Sequence, residues 1–139
     1  MGSWNTEPGL NHVGAYQVSG KPFATGSLNC KVDAQPMEGC VVNFPYVTSW
    51  VKIVNKDPAN TVRVGFSISG VTGSFNFFEV GKASTANVHN DSGMLDFKVS
   101  SIVLSGSTTV DVVAGLTNIR TGLTATAQGA NWSGSVGVG

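Results

Sequence analysis

Charge of either sign is scarce in this 139-residue chain. Eight Lys and Arg balance eight Asp and Glu, and charged residues make up only 12% of the sequence, about half the share in an average domain. With no basic excess and no basic run, direct nucleic-acid binding is not expected. Zero net charge leaves little long-range repulsion between copies, which suits a protein that associates. No apolar run approaches the roughly 18 residues of a membrane span, and the first residues lack the charged start and greasy middle of a signal peptide. Neither membrane insertion nor secretion by the usual route is expected.

Leucine is also scarce, with 6 residues against 20 Val, 4 Ile and 12 Thr. The main apolar helix former is thus outnumbered six to one by β-branched residues, whose stiff side chains favour strands. No window of about 12 residues keeps apolar positions at helical spacing. What is abundant is turn-forming residue, with 18 Gly and 15 Ser, while 41% hydrophobic content argues against a disordered chain.

Catalytic side chains are few. The histidines are His12 and His89 alone, so a Ser-His-Asp arrangement has little to build on. Gly81-Lys82 is followed by Ala83 where a phosphate-binding loop needs a hydroxyl, and reads as an ordinary loop. The carboxylates Glu7, Asp33, Glu38, Asp57, Glu79, Asp91, Asp96 and Asp111 are scattered. Asp96 and Asp111, on adjacent expected strands near Lys98, read as solvent-facing alternates rather than a catalytic pair. Calcium between loops, through Asn90 and Asp91, has no motif behind it. Neither an enzyme nor a cofactor is expected.

Two cysteines, Cys30 and Cys40, flank Pro36 and Gly39. A disulfide closing a small loop, two buried thiols and half of a metal site are all open, with zinc the weakest for want of further Cys or His.

Residues 1–40 read as an extended arm, because nine Gly or Pro between Gly2 and Gly39 interrupt any regular element. Trp4, Tyr16 and Phe23 are costly to leave in water, so they are expected to make assembly contacts. Residues 41–139 read as a sandwich domain. Val62, Val64, Phe66 and Ile68 alternate with Arg63, Gly65, Ser67 and Ser69, a period of two that buries one face. Further strands are expected at 47–55, 75–80, 95–104 and 108–116. Asp57-Pro58-Ala59-Asn60 and Ser105-Gly106-Ser107 carry turn chemistry and read as hairpin connections. Six to eight strands in about 100 residues predict an all-β fold, an antiparallel, jelly-roll-like β-sandwich with an extended N-terminal arm. The aromatics Phe44, Tyr46, Trp50, Phe66, Phe75, Phe77, Phe78 and Phe97 read mainly as the filling between sheets, with a sugar-stacking face as the alternative. Phe77 and Phe78 are neighbours on a strand, so one of them must leave the core.

The runs Val13–Gly26, Phe44–Asn55, Arg63–Ser67 and Ala114–Asn118 resemble small single jelly-roll or β-sandwich virion proteins of double-stranded DNA phages and viruses. The resemblance covers about residues 13–118. It implies a capsid decoration (cement) or vertex protein, present in several copies per virion and assembled in the host cytoplasm. The implied partners are the major capsid or other virion proteins and further copies of the chain, as a trimer or pentamer, with no catalysis. A fibre-tip or lectin-like carbohydrate-binding module is the alternative. Loops 57–60, 70–74 and 81–93 are expected to be exposed.

Overall fold

The computed structural model describes residues 20–30, 40–85, 87–127 and 129–139. Trp4, Tyr16 and His12 lie outside the described residues. The strands are β1 Lys21–Leu28, β2 Cys40–Asn43, β3 Tyr46–Asn55, β4 Val62–Gly65, β5 Phe78–Val80, β6 Asn90–Asp91, β7 Ser101–Ser105, β8 Val110–Arg120, β9 Ala125–Thr126 and β10 Gly129–Ala130. Among the described residues one short α-helix, α1, spans Ile68–Thr72, and a single 3-10 turn spans Thr121–Thr124.

Two four-stranded sheets form an antiparallel sandwich, ordered β1-β8-β3-β6 and β2-β7-β4-β5, with β9 and β10 as a separate small ribbon. The pairs β1–β8, β2–β7, β3–β6 and β4–β5 nest one inside the next, as though one long hairpin had been rolled up. The two inner faces supply the core. From the first sheet come Val51, Ile53, Val110, Val112 and Ala114, and from the second Val42, Val62, Val64, Ile102 and Leu104, all buried. Each of these valine, isoleucine and leucine side chains contributes roughly 1.5–3 kcal/mol by leaving water.

β3 and β8 sit side by side in the first sheet, and alternation explains most of their burial. Where the register shifts between Tyr46 and Trp50, the consecutive Val47 and Thr48 both turn inward. The Thr48 hydroxyl is matched there: it donates to the Phe97 carbonyl and accepts the Val99 N–H at 3.1 Å.

Several sequence expectations need correction. The sandwich does not begin at residue 41, because β1 is hydrogen-bonded along β8 from Lys21↔Leu116 to Leu28↔Val110. Phe23, expected in an assembly arm, instead packs edge-to-face on buried Phe44 with ring centroids 5.0 Å apart. The turns at 57–60 and 105–107 are not hairpins: β3 and β4 lie in different sheets, as do β7 and β8. The turn chemistry is real, but it serves corners between sheets. The strand starting at Val62 ends at Gly65, and Ile68 belongs to α1. Ser67 explains the break. Its extended backbone and side-chain oxygen, which accepts the Gly70 N–H at 2.9 Å, cap the helix. Asp96 is exposed and apart from Asp111, which pairs with Lys56 at 3.3 Å and accepts the Ser27 N–H at 2.8 Å.

One end of the sandwich is closed by a polar network. Asn55, fully buried, donates its amide to the carbonyls of Asn60, Val80 and Gly81 and accepts from the Ser107 hydroxyl at 2.8 Å. Asp57, expected on an exposed loop, is only 3% exposed. Its carboxylate accepts from the Ala59 and Asn60 N–H groups, the Asn60 amide, and both the N–H and hydroxyl of Thr108. The Asn60 side chain, then Thr108, hold its carboxyl well below the usual carboxylate range, against the opposing effect of burial. Beside this network, Cys30 and Cys40 are paired as a disulfide with Cα atoms 5.1 Å apart, linking the end of β1 to the start of β2.

Candidate association surface

The opposite end of the sandwich is apolar and only partly covered. It is built on the connection from β4 to β5, which holds α1 and three phenylalanines. α1 has poor helix formers, with Ile, Val, Thr and Gly in five residues, so it depends on its cap and on burial of Gly70 and Val71. Gly70 is required by close approach: an added Cβ would lie 2.5 Å from the Val138 carbonyl oxygen and 2.8 Å from that of Asn76.

Arg63 organises the loop that follows. Its Nη1 donates to the carbonyls of Val71 at 3.3 Å and Gly73 at 3.4 Å, and its guanidinium lies 4.2 Å from the centre of the Phe77 ring. Among the described residues this is the aromatic contact of a cation on the second sheet; on the first, Lys21 covers Tyr46 at 4.1 Å. The choice between Phe77 and Phe78 is thereby resolved. Phe78 turns to the core and meets Phe97 edge-on at 5.9 Å, while Phe77 turns out beneath Arg63. Phe66 also packs edge-on against Phe97, at 5.3 Å.

Phe75 has no such cover and is 88% exposed. It borders a shallow hollow of about 230 Å³ whose floor is Val64, Phe66 and Phe78, with Asn76 and Gly137 at the rim. A second hollow of about 240 Å³, almost wholly apolar, lies between Phe66, Lys98, Val99, Trp132 and Val138. Phe66 is common to both. A solitary exposed phenylalanine needs no explanation, but one bordering a hollow that shares Phe66 with a second, apolar hollow is the kind of patch that takes a partner.

The sequence expectations fall on this picture unevenly. Trp4 and Tyr16 lie outside the described residues, and Phe23 is half-buried against the core of the sandwich. The exposed loops do include Thr72–Ser74 and most of 81–93, with Ala83 buried. Sequence reasoning missed Arg63, which looked like a solvent-facing alternate, and Trp132, whose glycine-rich surroundings carry no period. His89 is exposed on its loop. Among the described residues no three of His, Cys, Asp and Glu lie close enough to hold a metal ion, and no helix is long and apolar enough to cross a membrane. The open cleft between the edge strands β5 and β6, about 320 Å³, brings Glu79 and Asp91 near Asn90 and Ser92. Asp91 is already paired with Lys52 at 3.8 Å, and Ser92 Oγ accepts the Ile53 N–H.

Comparison with family models, with curated proteins and with solved structures finds no match to this chain.

Proposed function

We propose that this chain is a non-enzymatic structural protein of a virus or phage particle, a capsid decoration (cement) or vertex protein that works by association. The observation that carries this reading is the nested strand order. Eight strands paired first to last, second to seventh, third to sixth and fourth to fifth support the finer description of a jelly roll, an architecture used by viral capsid and lectin domains. Fold alone does not fix function. The charge-poor composition and the uncovered aromatic end point the same way, because both favour contact between surfaces over steering of a charged ligand. Its partners would be further copies of itself and the particle's shell protein, within the virion assembled in the host cytoplasm.

Size-exclusion chromatography with light scattering tests this. Three copies suit a decoration protein and five suit a vertex; a monomer at every concentration, with no recovery on purified particles, refutes it. A variant lacking residues 1–19 tests the arm without cutting into β1: it is expected to fold and to join particles poorly.

A second reading is favoured by one observation, the exposed Phe75 ring beside Asn76. An aromatic face next to an amide is the pattern of a lectin-like, carbohydrate-binding module. Glycan-array binding that vanishes in Phe75→Ala while the melting temperature holds would favour it over the first.

A further inference from the structure

Residues 131–139 lie across the aromatic end as a strap. Most of its hydrogen bonds are local turns: Ser133 N–H to the Ala130 carbonyl at 2.8 Å, Ser135 N–H to Trp132 at 3.0 Å, and Val138 N–H to Ser135 at 3.2 Å. Its hold on the body is slight by comparison. Asn131 N–H donates to the Thr124 carbonyl at 2.7 Å, Trp132 packs against the core, and the Ser67 hydroxyl donates to the Val138 carbonyl at 2.6 Å. Between those anchors residues 133–137 are exposed, Val136 completely. The two hollows flank the strap, one at Gly137 and one at Trp132 and Val138, so it does not fill the groove in which it sits.

The body nevertheless carries a socket shaped to this segment. Ser67 serves it twice over, accepting the Gly70 N–H to cap α1 and donating to the strap. Gly70 leaves the space into which the Val138 carbonyl enters. The strap is therefore a short segment with a matched seat and few contacts to lose. Glycines with left-handed backbone at Gly129, Gly134 and Gly137 (φ +119°, +82° and +92°) let it leave in more than one direction.

We infer that the strap is exchangeable, and that in the associated protein residues 131–139 of one copy occupy the Ser67–Gly70 socket of a second copy. The occupant is identified by the strap itself, because a segment that fits the socket within one chain fits the same socket on another. Exchange trades identical contacts, so the equilibrium is set by concentration and by whatever new contacts the exposed Val136 and Phe75 make between copies. This inference rests on the reading that the chain works by association.

The test uses the unaltered chain. Chains carrying ¹³C-labelled valine methyls in a deuterated background are mixed with unlabelled chains under conditions of association, and nuclear Overhauser contacts are sought between unlabelled Trp132 ring protons and labelled Val99 methyls, which line the same hollow. The expected result is an interchain contact in the oligomer and its disappearance on dilution to monomer. An oligomer that shows the Trp132–Val99 contact only within single chains overturns the exchange and leaves association standing. A chain that stays monomeric at millimolar concentration overturns the exchange, and if it is also not recovered on purified particles it overturns association as well. As a second measurement, a chain ending at Ala130 should show at least a tenfold weaker self-association; unchanged association with the sandwich intact also overturns the inference.

Discussion

Asp57 accepts two hydrogen bonds from Thr108, one from its N–H at 3.0 Å and one from its hydroxyl at 2.7 Å, although 51 positions separate them in the chain. The corner leaving β3 is thus fastened to the corner leaving β7, and the two sheets are joined by a carboxylate instead of by strand pairing.

Replacing Asp57 by Ala is expected to cost about 2–3 kcal/mol, the scale for a buried, charge-assisted cluster losing its acceptor. Denaturant unfolding followed by tryptophan fluorescence measures it. Asp57→Asn keeps the shape but turns an acceptor into a donor facing Thr108, and should recover little.

The same carboxyl sets an acid limit. Its folded-state pKa is depressed, first by Asn60 and then by Thr108. Its stabilisation is therefore complete above the ordinary aspartate value of about 4 and is lost as pH falls below it toward the depressed folded value. The melting temperature of the wild type should drop below about pH 4, and Asp57→Asn should lack this part of the slope. Parallel curves for the two proteins would contradict the assignment.

Phe23 belongs to the fold rather than to an arm, since its ring stands edge-on to Phe44. Phe23→Ala is expected to destabilise the isolated chain by about 1–3 kcal/mol, less than a fully buried phenylalanine because the site is half-open. A variant as stable as the wild type would return Phe23 to the surface.

The Cys30–Cys40 link closes a short loop between the edge strands of the two sheets. Reduction should cost about 2–3 kcal/mol by the chain-entropy relation. The fold should survive it, because Cys30 is also held by main-chain bonds: its N–H donates to Ser107 at 2.8 Å and its carbonyl accepts from Gly106 at 3.0 Å. Unfolding midpoints with and without a thiol reductant check both statements.

Arg63 holds the loop that presents Phe75. Arg63→Ala should lower stability by only about 1 kcal/mol, yet weaken self-association by a larger factor in light scattering. Lysine should not rescue it, since a point charge cannot bridge two carbonyls and lie flat on a ring. Association equal to wild type would show that the loop is not used.

Some strands were legible: alternation marks Val62–Gly65, and the β-branched runs mark β3 and β8 to within a few residues, whereas the strands expected at 75–80 and 95–104 shrink to Phe78–Val80 and Ser101–Ser105. Pairing was not. Asp57-Pro58-Ala59-Asn60 has the same local chemistry whether the chain doubles back within a sheet or steps to the next one, and only distant Thr108 decides between them. The period of two runs through Phe66 to Ile68, so nothing in it announces α1; the sole local signal is Ser67, a good cap. Phe23 was misread because the glycines and prolines around it suggested interruption, whereas an edge strand tolerates Pro22 and a bulge at Ser27 (φ +56°). At the aromatic end, Phe75–Phe78 was visible as a cluster, but which ring faced water depended on Arg63 from β4 and Phe97 from the connection between β6 and β7.

Among the described residues β1 has one sheet neighbour, β8, and Lys21 lies opposite Leu116. A ribosome must therefore deliver the chain through β8 before β1 has a sheet partner to bond. At ordinary elongation rates that interval is roughly 5–20 s. During it the nascent sheet edge is open to other growing chains, so birth order and closure order run in opposite directions, and the first sheet closes only once β8 has been made.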